Sequence, residues 1–126
     1  MNLVDANIIL RYLLDDGGEM SERSAQILEN DTIYITGEVI AEVVYVLEKV
    51  YKAERKDISR SLCALVENFN INTFDSQVTA VALKTYAAQK IDIVDALLFA
   101  YSKVKKYKVF TFDKKLLKLL QTANSK

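Results

Sequence analysis

The chain has 126 residues, with 17 basic side chains against 17 acidic ones, so net charge gives no attraction for nucleic acid and any phosphate binding must be local. Apolar residues make up 51% of the chain and no composition break interrupts it, so a single globular domain over residues 1–126 is expected. Histidine is absent and Cys63 is the one cysteine, which excludes Ser-His and Cys-His nucleophile pairs, histidine-ligated zinc and an internal disulfide.

In chain order, Asn2-Leu3-Val4 reads as a short strand that breaks at Asp5-Ala6-Asn7. An apolar helix follows through Ile8–Leu14, with Arg11 its lone charge, and Asp15-Asp16-Gly17-Gly18 ends it by turn chemistry. Ser21–Asn30 carries Ala25 and Leu28 at helical spacing, and Thr32–Ile35 is β-branched and aromatic, a strand. The valines of Thr36–Lys52 suit a strand, but Val39, Val43, Val46, Leu47 and Val50 recur at helical intervals over too long a stretch, so a helix is predicted. Another helix covers about Lys56–Asn68, where Cys63 is read as a packed core thiol. Ile71–Phe74 is a weak strand, and Ser76 is placed to cap the next helix, to about Lys90. The last units are a helix opening on Asp92 and Asp95, a lysine-rich turn, and the short apolar strand Val109–Phe112 ending on Asp113.

Strands alternating with helices predict an α/β fold, a three-layer α/β/α sandwich around a parallel sheet of four or five strands. The start of the chain carries no charged leader, and its apolar runs break before membrane-spanning length, so a soluble protein in the reducing cytoplasm, with no membrane association, is expected. No phosphate-binding glycine loop is present.

In such a sheet, ligands bind beyond the carboxyl ends of the strands. Asp5 and Asp113 stand at two such ends; Asp95 lies in the first turn of its helix, and Glu42 one turn into the helix after the second strand. Each has a plain structural reading too. Asp5 and Asp113 suit N-caps, Asp92 and Asp95 have cap-to-N3 spacing, and Glu42 suits a solvated helix flank. Together they suggest more. Two unit charges about 4 Å apart repel by about 4 kcal/mol at an effective dielectric of ~20, so clustered acids take up protons or a cation. Oxygen ligands without histidine suit magnesium or manganese, and a water polarised by such an ion attacks phosphodiesters.

Four segments in order, Val4–Leu10, Val39–Leu47, Asp92–Leu98 and Val109–Lys114, resemble the PIN-domain family, and most closely its short VapC-type toxins. The resemblance implies a magnesium- or manganese-dependent endoribonuclease, with Asp5, Glu42, Asp95 and Asp113 as metal ligands and catalytic acids and a metal-activated water as nucleophile. It matches Asn7 and Thr111 to supporting polar positions and Asp92 to an accessory acid, while Ala6 stands where many relatives carry a hydroxyl. It further implies an RNA substrate, a homodimer and a small antitoxin partner.

Arg11, Lys114 and Lys115 are placed for contact with RNA or an antitoxin, whereas Lys103, Lys105, Lys106 and Lys108 read more simply as helix-end and solvated charge. Tyr12, Tyr45 and Tyr101 suit core or dimer packing rather than base stacking. Two other readings stay open: a phosphoacceptor signalling domain, for which Asp75 is the third-strand candidate, and a catalytically inactive PIN scaffold that binds RNA or protein.

Overall fold

A computed structural model describes residues 1–124, apart from the side chain of residue 124. The described chain contains three strands, β1 (Asn2–Leu3), β2 (Ile33–Ile35) and β3 (Ile71–Thr73). Its helices are α1 (Ala6–Leu14), α2 (Glu19–Asn30), α3 (Gly37–Lys49), α4 (Arg55–Val66), α5 (Ser76–Ala88), α6 (Ile93–Lys105) and α7 (Lys114–Asn124). Two compact units result, Met1–Phe74 and a second that starts at Asp75. None of the described helices is long and apolar enough to cross a membrane.

The first unit holds a parallel sheet in the order β1-β2-β3, with Asn2 opposite Ile33, Leu3 opposite Tyr34, and Ile33, Tyr34 and Ile35 opposite Ile71, Asn72 and Thr73. Parallel neighbours need long crossovers, and here each is a helix pair, α1–α2 and then α3–α4. The α/β class with a parallel sheet is therefore as expected. Ile33 and Ile35 alternate with half-buried Tyr34, as a strand against a core requires. Ile9, Leu28, Ile40, Val43, Val44, Ile58 and Leu62 are buried with them, each worth about 1.5–3 kcal/mol on removal from water. The valine-rich stretch is α3, capped by the Thr36 hydroxyl, which accepts from the Val39 amide at 3.3 Å. Asn70 ties the end of α2 to β3: its side-chain amide donates to the carbonyls of Leu28 (2.7 Å) and Asp31 (2.9 Å).

In the second unit α5 packs along α6, and α7 closes on α6 through a cluster of Phe99, Leu116, Leu120 and Ala123, joined by Val81, Val109 and Leu119. The cap of α5 is Asp75, not Ser76: the Asp75 carboxylate accepts from the Val78 amide at 2.9 Å, and Ser76 is the first helical residue. Cys63, expected in the core, is only half-buried.

The strand count departs from the expected four or five. Among the described residues, Val109–Phe112 has no ladder partner, and Phe110 is 83% exposed. A β-prone pattern supplies side chains for a strand, but a ladder also needs a neighbour with a free edge in register, which composition does not report. Asp113 accordingly follows an irregular segment.

Candidate active site

Asp5 follows β1 after one residue, Val4, and caps α1. Its Oδ1 accepts from the Ile8 amide at 3.1 Å, and its other oxygen has no hydrogen bond among the described residues. The cap reading is thus correct and uses half of the carboxylate. Asn7 and Arg11 lie four residues apart on α1, hence on one face. Arg11 is half-exposed and pairs with Asp16 at 3.3 Å. Glu42 is exposed on α3, in the helix that starts from the carboxyl end of β2, the strand beside β1. It lies roughly 7.5 Å along the axis from the helix start at 1.5 Å per residue. Asp5 and Glu42 therefore both follow the carboxyl end of the sheet.

Asp92, Asp95 and Asp113 belong to the second unit. Asp92 occupies the N-cap position of α6 without making a side-chain cap bond, so its carboxylate faces solvent. Asp95 is half-buried in the first turn. Its burial, followed by the negative charges of Asp113 and then Asp92, raises its proton affinity above that of an ordinary aspartate. Asp113 caps α7, its Oδ1 accepting from the Leu116 amide at 2.9 Å, while its own amide donates to the Thr111 hydroxyl at 3.0 Å. Thr111 thus holds the turn in which Asp113 sits.

The basic residues divide. Lys114 is exposed at the start of α7, but the Lys115 ammonium donates to the Lys90 carbonyl. Lys105 pairs with Asp75 at 3.1 Å, in keeping with a structural reading of that lysine. Both Asp75 oxygens are engaged, one by the Val78 amide and one by Lys105; that hydrogen bond and then the ammonium hold its carboxyl below the usual range. Tyr101 stacks on Tyr107 with ring centroids 5.8 Å apart, whereas Tyr45 is 61% exposed on the single chain, which places it outside the core.

The sequence reading passed over Arg23. It lines a cleft of about 170 Å³ between α1 and α2 together with Asn7, Arg11, Met20 and Ser24. The signal was there to find: Met20, Arg23, Ser24 and Ile27 repeat at the spacing of one helix face.

The donor chemistry suits a hard divalent cation: carboxylates only, one oxygen of Asp5 and one of Asp113 left over from capping, and an Asp95 whose charged form a cation would favour. Among the described residues no three such side chains close to ligating geometry. A family model described as PIN domain matches residues 3–120, nearly the whole chain. No curated protein and no solved structure matches the chain.

Proposed function

This chain belongs to the PIN-domain family, whose members are generally nucleases that act on RNA with divalent cations, and on that premise we propose that it is a magnesium- or manganese-dependent endoribonuclease. The observation that carries the reading is the acidic group of the second unit, where burial and the charges of Asp113 and Asp92 make ionised Asp95 costly. A group held at such a cost suggests use rather than stability. The matched stretch runs across both units, which supports reading residues 1–126 as one functional domain.

Asp5, Glu42, Asp95 and Asp113 would hold the cation, which when bound supplies an acidified water and charge neutralisation at the phosphate. The protein's own part is positioning. Capping fixes Asp5 and Asp113 through one oxygen each, so neither spends rotamer entropy on binding. Thr111 fixes the turn that carries Asp113. Asn7 stands in the first turn of α1, two residues from Asp5, where its amide is a donor for a phosphate oxygen or a water. Asp92 adds negative charge beside Asp95.

In the cell we assign the protein to the toxin half of a toxin–antitoxin pair, a homodimer in the cytoplasm silenced by a small antitoxin, as the resemblance to VapC-type toxins implies. The phosphoacceptor alternative loses its basis at Asp75, whose two oxygens are taken by the Val78 amide and Lys105. An inactive scaffold is separated by assay. Purified protein should cleave RNA with added magnesium or manganese and stop on chelation or in Asp5→Asn. Full cleavage under chelator refutes the metal reading, and no cleavage under any metal leaves the scaffold.

A further inference from the structure

Acidic ligands repel the RNA backbone until a cation is bound, so a nuclease of zero net charge needs cationic groups near its acids to hold the strand. The α1–α2 cleft has that chemistry. Two guanidinium side chains line it from neighbouring helices, Arg11 and Arg23, together with the Asn7 amide and the apolar side chains of Ile8, Met20 and Ile27. Arg23 is exposed and makes no ion pair among the described residues.

Arg11 pairs with Asp16, but that pair is exposed on both sides, and exposed pairs exchange readily for a better anion. Asp16 has other bonds to keep it in place: it accepts from the Ser21 hydroxyl at 2.7 Å and the Gly18 amide at 3.1 Å. It can release a guanidinium and stay ordered. Glu19 and Glu22, on the same helix as Arg23, do not line the cleft. The cleft also has a direction. Asp5 caps α1, Asn7 is in its first turn and Arg11 one turn on, so the cationic end lies roughly 9 Å along the axis from the acid.

We propose that Arg23 and Arg11 form a phosphodiester-binding site that holds single-stranded RNA next to the cleaved bond, a role that rests on the nuclease reading for its purpose and not for its binding. The planar guanidinium grips two phosphate oxygens at once, which an ammonium cannot do.

The test measures binding without metal. Anisotropy of a fluorescein-labelled single-stranded oligoribonucleotide is followed in EDTA between 50 and 300 mM salt, with the full chain. Arg23→Ala should weaken binding roughly tenfold at low salt and flatten the slope of log K on log salt by about 0.7, one phosphate contact. Arg23→Lys should recover the slope but not all of the affinity. Arg60→Ala, which removes an exposed α4 charge paired with Asp57, should change neither. Equal binding by wild type and Arg23→Ala overturns the site, as does a loss that Arg60→Ala reproduces, or a wild type that binds no RNA. An Arg23 dependence seen only with an acidic peptide assigns the cleft to carboxylates and also overturns it. Arg23-dependent RNA binding with no cleavage in magnesium or manganese sinks the nuclease reading and leaves the site standing.

Discussion

In the first unit, Asp5 caps a helix and Glu42 stands in solvent. In the second, burial and then the charges of Asp113 and Asp92 make Asp95 hold its proton more firmly than a free carboxyl does. The first unit also carries the cleft that Arg11 and Arg23 both line. Capping carboxylates add to stability, whereas crowded ones subtract from it. The two units thus differ in how they hold their acids: one bears the electrostatic cost of crowded carboxylates, the other carries a capping carboxylate, a solvated one and an arginine-lined cleft.

The largest expected effect breaks activity and stability apart. Asp95→Asn should cut metal-dependent RNA cleavage at least about a hundredfold while raising the melting temperature. Because the folded Asp95 binds its proton more tightly than the unfolded one, its charge subtracts stability at neutral pH, and that deficit fades as pH falls through the folded value toward 3.8. The gain of the variant should fade in the same window. A less stable and fully active Asp95→Asn would erase the contrast between the units.

Next in size is the response to metal. Magnesium or manganese at a hundred times its Kd should stabilise the wild type by about 2.7 kcal/mol, visible in a thermal melt. Asp95→Asn should lose most of that shift. A reduced shift in Asp5→Asn as well would show that both units hold the ion, sharpening the division of labour.

Asp75→Ala removes a cap and the partner of Lys105, and should cost about 1 kcal/mol. The folded Asp75 carboxyl titrates below 3.8, so its contribution is complete at higher pH and vanishes as pH falls through the folded value. Denaturant melts of wild type and variant should therefore differ at pH 7 and converge in strong acid. The smallest effect is expected from Thr111→Val, which leaves the Asp113 amide without its acceptor: about 1 kcal/mol at most, and a few-fold loss of cleavage.

Helices and paired strands were legible because their cause lies within a few residues. The valines of α3 read correctly as helix, since their spacing outweighed their β-branching. The expected strand at Val109–Phe112 did not appear as a ladder, because pairing depends on a distant neighbour and alternation records only the near one. Ser76 suits a cap by residue type, and so does Asp75; backbone conformation decides, and Asp75 is the extended one. The acids were found from their positions after strands and at helix starts, but which of them crowd together needed coordinates. Arg23 is not legible in the sequence because one arginine on a surface helix carries no signal until another lines the same cleft.

Asn70 illustrates how little chemistry separates a tie from a wedge. Its two amide hydrogens point at the carbonyl oxygens of Leu28 and Asp31. Deamidation there would replace the NH2 by a second oxygen, of equal size but opposite polarity. Two attractions would become two lone-pair confrontations, and the end of α2 would be pushed off the sheet it now borders.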